Sequence, residues 1–271
     1  KRDVAEKMPS LLGSPNSPVA IGDKVTITNY HGFCKGLLKK YGYLISDSLK
    51  KDVNLFHAIG DHDAERQWIL KAVLSTTDIQ VLKEMDASIK EARVPSGEAI
   101  QAYNQIVIQK LLPHEYITHN AVILFVLDIL ARFPEVKKFY QSYYPLIVVD
   151  EFQDTNCIAW ELLKSIISDQ TQLLFLGDPL QRIYGFIGAL PNIMSTVVDE
   201  YQMTKISLSK NYRFRNNPEM LKLDRNVREN ATALFSPTIS HEDIANVPAF
   251  WGLSQQEEAG KVVSKVKQLI E

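Results

Sequence analysis

Two short apolar runs punctuate an otherwise amphipathic chain. Leu146, Ile147, Val148 and Val149 follow one another without alternation and lead straight into Asp150 and Glu151. Such a run predicts a strand buried on both faces of a parallel sheet, ending at the edge where open α/β sheets bind ligands. Leu173 to Gly177 (LLFLG) repeats the pattern and stops at Asp178, and Ile158, Leu162, Leu163, Ile166 and Ile167 between the two have the spacing of a helix packed on the sheet. Shorter β-prone runs predict strands at Val25 to Thr28, Lys205 to Leu208 and Ala249 to Leu253. Helical periodicity covers His31 to Tyr41, Ile117 to Phe133 before Pro134, Asn192 to Tyr201, Asn217 to about Asn230, and Gln255 to Ile270.

The segment from Lys50 to about Glu115 reads as helical throughout. Its three amphipathic stretches are AERQWILKAVL, TDIQVLKEMDASIKEA and SGEAIQAYNQIVIQKLL, with Thr77, Asp78 and Ser96 as N-caps and Pro95 and Pro113 as breaks. Asn217, Pro218 and Glu219 open a helix with a cap, a proline and an acid. Lys1 to Met8 reads as a helix tail stopped by Pro9, GSPNSP (Gly13 to Pro18) as a loop, and Ala231 to Pro248 as turn-rich.

At 271 residues and 45% hydrophobic, the chain suits one large or two modest globular domains. Thirty basic against 32 acidic residues give a net charge of −2, so nucleic acid would be bound by a local groove and not by a global field. Cys34 and Cys157, distant and each in apolar surroundings, read as reduced core thiols of a cytosolic-type protein. The longest apolar stretch, Ala121 to Leu127, is far shorter than the roughly 20 residues of a membrane span. His57 and His62 in FHAIGDHD read as a loop and not a metal site.

An Asp-Glu pair at a strand's carboxyl end can hold a hydrated magnesium ion and polarise a water; the plainer reading is a strand ending in two solvated acids. What favours the first is company. DEFQDTN (Asp150 to Asn156), GDPLQRIYGFIGA (Gly177 to Ala189) and LSKNYRF (Leu208 to Phe214) stand in that order. Together they closely resemble three motor motifs of the UvrD/Rep/PcrA branch of superfamily one DNA helicases. The likeness is strong over Leu146 to Phe214, and ITNYHGFCKGLLKKYG is similar to the family's motif that touches single-stranded DNA, with Asn29 where relatives have threonine. THN (Thr118 to Asn120) departs from a Phe-Asp-Asp-like turn of the family.

The resemblance implies an α/β fold with a RecA-like P-loop NTPase motor domain. Residues 1–49 and 116–208 would form a partial first motor domain, 50–115 a helical insertion, and 209–271 the start of a second motor domain. No GxxxxGK[ST] loop occurs in the chain, which opens at KRDVAEKM; a piece of a longer motor, inactive alone, is expected. By the same resemblance, Asp150 is the magnesium-associated carboxylate and Glu151 orients or deprotonates the attacking water. Gln181 senses the γ-phosphate, Asp178 braces its loop, Arg213 reaches the γ-phosphate, and Tyr212 stacks on adenine. Tyr184 and Phe186 would stack on bases and His31 would face DNA, though a buried, hydrogen-bonded histidine and a core phenylalanine fit as well. Relatives commonly carry tryptophan at the position of Phe186 and arginine at that of Ile187. Lys83, Lys90, Arg93 and Lys110 read better as a solvated helix face than as a DNA guide.

The implied function is ATP-dependent, Mg2+-requiring movement on single-stranded DNA or at a single-strand/duplex junction, in repair or recombination, in the cytoplasm or at the nucleoid. Alternatives are the motor part of a helicase-nuclease and a non-catalytic DNA- or protein-binding module.

Overall fold

The computed structural model describes residues 25–231 and 254–270. The expected helix tail and loop before residue 25, and the strand at 249–253, lie outside the described residues. Two compact units divide the chain, Lys1–Met203 and Thr204–Glu271.

The first unit holds α1 (Tyr30–Tyr41), β1 (His57–Ile59), α2 (Trp68–Val73), α3 (Thr76–Lys90), α4 (Gly97–Ile106), β2 (Tyr116–Thr118), α5 (His119–Arg132), α6 (Pro134–Tyr143), β3 (Leu146–Val149), α7 (Cys157–Ile166), β4 (Gln172–Phe175) and α8 (Ile193–Glu200). The second holds α9 (Pro218–Ala231) and α10 (Gln255–Ile270). It is a mixed α/β chain with two small parallel sheets, β1 with β2 and β3 with β4.

Helix α5 is the centre of the first unit. Residues Ala121 to Val126, Ile129 and Leu130 are buried, which fits a helix apolar on nearly every side. Thr118 caps it by accepting the Ala121 N–H at 3.2 Å. Against it lie α1, through Cys34, Leu37 and Leu38, and α7, through Cys157, Ile158 and Leu162. Helix α1 starts at Asn29, whose side chain accepts the Gly32 N–H at 2.7 Å. Its last turn carries Lys39 and Lys40, matching the dipole.

Several expectations are corrected. The segment 50–115 is not helical throughout, because β1 lies inside it and pairs in register with β2, His57 opposite Tyr116. The cap of α3 is Ser75, in a reciprocal box with Asp78, and not Thr77; Ser96 and Asn217 do cap as expected. The helix expected from Ile117 begins at His119, after β2, and Pro134 opens α6 as its first residue. Val25 to Thr28 and Lys205 to Leu208 form no strand; Leu208 is 91% exposed. Nor is β3 buried on both faces. Leu146 and Val148 are exposed while Ile147 and Val149 are half-buried, since among the described residues β4 is its single partner.

Candidate functional site

The site grows from the carboxyl ends of β3 and β4. Their ladder continues one step past the strands, as the Leu176 N–H donates to the Val149 carbonyl (2.8 Å) and the Phe152 N–H to that of Leu176 (2.9 Å). Between these two bonds the chain must turn within two residues. Glu151 accomplishes it in the left-handed region, at φ +51°, a conformation costing a non-glycine residue about 1–2 kcal/mol. What holds it there is Phe152. That ring is fully buried, stacked on Phe175 at 4.1 Å and edge-on to Trp160, in a second apolar cluster with Leu163, Ile193 and Val197. The turn therefore drives Phe152 inward and leaves Asp150 and Glu151 exposed side by side.

Asp150 uses one oxygen locally, accepting the Glu151 N–H at 3.0 Å on Oδ1. Glu151 accepts from the Gln153 side-chain amide, Nε2 to Oε2, at 2.7 Å. The other end of that amide, Oε1, accepts the Asp178 N–H at 3.1 Å, bridging the end of β3 to the end of β4. Asp178 in turn accepts the Leu180 N–H (3.1 Å) and the Gln181 side-chain amide (2.8 Å). Asp150, Glu151, Gln153, Asp178 and Gln181 thus form one hydrogen-bonded string across the sheet edge.

The remaining residues of DEFQDTN are structural. Burial, with Glu151 nearby, raises the pKa of Asp154, and the facing Tyr184 N–H opposes that rise. Thr155 meets the Tyr30 hydroxyl at 3.0 Å, and its carbonyl accepts the Leu190 N–H. Burial pushes the Tyr30 hydroxyl up to about 12, so it stays protonated. Asn156 caps α7 through the Ala159 N–H at 2.9 Å. Both ends of the loop from Gly177 to Ala189 are therefore fastened to the acidic turn, and the stretch from Gln181 to Ile187 between them is exposed.

Tyr184 and Phe186 stand on that exposed stretch, their ring centroids 6.0 Å apart, and Phe186 is 71% exposed. Beside them Arg182 donates to the Ala189 carbonyl at 3.1 Å. His31, on α1, is half-buried, and its Nε2–H donates to the His119 carbonyl at 3.2 Å; burial lowers its pKa. Lys83, Lys90, Arg93 and Lys110 are paired with Glu65, Asp86, Glu91 and Asp78, as a solvated, charge-balanced face would be. Among the described residues no cluster of three or more His, Cys, Asp or Glu forms a metal site.

In the second unit the NYRF turn is held by Asn211. Its side chain donates to Asp224 of α9 and accepts the Phe214 N–H, both at 3.0 Å. Tyr212 is exposed with the Lys210 ammonium 4.8 Å from its ring centre, and Arg213 is exposed beside it. The remaining candidates, from His31 to Phe186, belong to the first unit.

Four contributors escaped the sequence reading: Gln153, Asp154, Thr155 and Tyr30. The first three lie within DEFQDTN and Tyr30 within ITNYHGFCKGLLKKYG, so those strings were themselves the available signal.

A family model described as the UvrD/REP helicase N-terminal domain matches residues 2–202. The chain belongs to the UvrD/REP helicase family. Among its relatives, the ATP-dependent DNA helicase PcrA of Bacillus subtilis (strain 168) is 28% identical over 231 residues, covering 78% of this chain and 30% of that protein. PcrA of Staphylococcus aureus (strain Mu50) is 25% identical over the same shares. The putative ATP-dependent DNA helicase YjcD of Bacillus subtilis is 31% identical over 140 residues, 51% of this chain and 18% of that protein. This UvrD/REP chain thus spans less than a third of the length of those relatives.

Proposed function

We propose that this UvrD/REP chain carries the hydrolytic edge of an ATP-dependent DNA motor that moves on single-stranded DNA. The observation that carries the reading is the hydrogen-bonded string from Asp150 to Gln181 across the carboxyl ends of two parallel strands, where α/β sheets bind ligands. In this reading, residues 1–49 and 116–208 belong to a RecA-like first motor domain, 50–115 to its helical insertion, and 209–271 to the start of a second motor domain.

Phosphoryl transfer asks a protein for positioning and for charge. Glu151, exposed and held by the Gln153 amide, orients the attacking water and accepts its proton. Asp150 has an oxygen, Oδ2, with no protein partner among the described residues. Two adjacent exposed carboxylates are hard donors that fit Mg2+, which takes one or two carboxylates and keeps several waters. Asp150 and Glu151 would hold that ion through water, and it would neutralise charge developing on the phosphoryl oxygens. Gln181, tethered to Asp178, senses the γ-phosphate. In the second unit Arg213 offers a permanent planar charge suited to a phosphate and Tyr212 a ring face suited to adenine.

Tyr184 and Phe186 suit sequence-independent stacking on bases, at about 1–3 kcal/mol per base. With Nε2 given to His119, His31 has Nδ1 to offer DNA.

The test uses the full-length protein, since the 271 residues contain no GxxxxGK[ST] loop and alone are expected to hydrolyse no ATP. Glu151→Gln is expected to lower DNA-stimulated turnover at least 100-fold while nucleotide binding, followed by a fluorescent ATP analogue, persists. Turnover within twofold of the parent would remove Glu151 from the chemistry.

A further inference from the structure

Gln153 is 1% exposed, yet both ends of its amide reach backbone or side chains of the candidate site. Nε2 donates to the Glu151 carboxylate at 2.7 Å, and Oε1 accepts the Asp178 N–H at 3.1 Å. A side-chain amide is the group that can do both at once, because it has a donor end and an acceptor end; a carboxylate has no donor and an aliphatic chain has neither. The space for it is made by Gly177. A Cβ added there would lie 2.4 Å from Gln153 Oε1, 3.2 Å from Met194 Sδ and 3.3 Å from the Gln153 backbone nitrogen. Of these the amide end is the atom able to give way.

We infer that Gln153 is a positioning residue, whose amide locks the Glu151 carboxylate to the Gln181-bearing loop so that water orientation and γ-phosphate sensing move as one. The inference rests on the roles proposed above for Glu151 and Gln181. Glu151 sits on a strained left-handed turn with an exposed side chain, so its rotamer has no other side-chain restraint among the described residues. Asp178 carries the same restraint onward, since its carboxylate holds the Gln181 amide. Anything that shifts Gln181 pulls through Asp178 and Gln153 on Glu151.

The test is made in the full-length protein with Gln153→Met, which keeps the length of the side chain but removes both the donor to Glu151 and the acceptor for the Asp178 N–H. DNA-stimulated kcat is expected to fall about 10–100-fold, the usual cost of losing an orienting partner behind a reacting group. KM for ATP and the thermal unfolding midpoint should stay near those of the parent.

Gly177→Ala displaces the same amide from the opposite side, so it should produce the same split between kcat and KM. The double variant should lose no more than the worse single one, because the two changes break one link.

Parental kcat in Gln153→Met, losses that multiply in the double variant, or a kcat loss matched by a loss of folded protein would each overturn the inference. Should Gln153→Met fail to fold, Gly177→Ala decides on the same readouts. Glu151→Gln, run in parallel, separates the layers. If it abolishes turnover while Gln153→Met and Gly177→Ala do not reduce it, positioning fails and the hydrolytic reading stands; if it leaves turnover intact, both fall.

Discussion

Asp61 shows how much a single enclosed carboxylate can shape behaviour far from any reacting atom. It is buried where the segment before α2 meets α4, β2 and α5, accepting from the Tyr103 hydroxyl and from the Asn120 amide at 2.7 Å, with the Thr118 hydroxyl against Tyr103. Burial pushes its pKa up to about 6, those hydrogen bonds oppose the shift, and Asp86 adds to it. The folded protein thus binds this proton more tightly than the unfolded chain. Below about pH 4 both states are protonated and Asp61 costs nothing. As pH rises through the interval to 6 the unfolded chain releases its proton first, so the group's contribution to stability falls by about 2–3 kcal/mol and stays lost above it. Asp61→Asn has no such loss. Urea unfolding is expected to show the variant gaining on the parent by that amount between pH 4 and 7; a difference independent of pH would mean that Asp61 is ionised throughout.

Among elements, the contrast between helices and strands is physical. Helices α1, α7, α9 and α10 fall within two residues of their periodicity because their hydrogen bonds are local and the caps Asn29, Asn156 and Asn217 stand beside them in sequence. Strands need a partner elsewhere in the chain. Val25 to Thr28 and Lys205 to Leu208 have β-prone residues and no ladder, whereas the three residues of β1 form a strand because β2 lies alongside.

A similar dependence fixes the aromatic loop. Gly188, at φ +89°, comes so close to the end of α3 that a Cβ would lie 2.0 Å from the Ile89 carbonyl oxygen. That neighbour is backbone and cannot turn aside. Gly188→Ala is expected to destabilise the fold by about 1–3 kcal/mol and, under the proposed reading, to weaken single-stranded DNA binding by shifting Tyr184 and Phe186, read by thermal unfolding and fluorescence anisotropy. Parental values in both would show that the loop is not held by α3.

For the molecule as a whole, the two cysteines report on the core. Cys34 on α1 and Cys157 on α7 are buried in the cluster built around α5, and burial raises both thiols above their ordinary pKa. Cys157 also donates to the Arg93 carbonyl at 3.4 Å. A thiol reagent is therefore expected to label both at the rate at which the core opens, and labelling should accelerate in parallel for the two as urea is added. A fast-reacting Cys157 with a protected Cys34 would show that α7 opens separately.

How much of this was open to reading follows from the range of each interaction. DEFQDTN, GDPLQRIYGFIGA and LSKNYRF are short, contiguous strings, so the family and the exposed acids at the end of a strand could be read from residues alone. The spans of helices α1, α7, α9 and α10 could too, being local. Tertiary packing alone decided which faces of β3 are covered, that His31 gives its Nε2 to His119, and that Lys83 and Lys110 are neutralised by acids 18 and 32 positions away. It alone decided that Gln153, one letter of a familiar string, joins two strand ends 25 residues apart. Side-chain identity sets which bonds a residue is able to make, but the partner that completes each bond is chosen by where the folded backbone brings distant segments together.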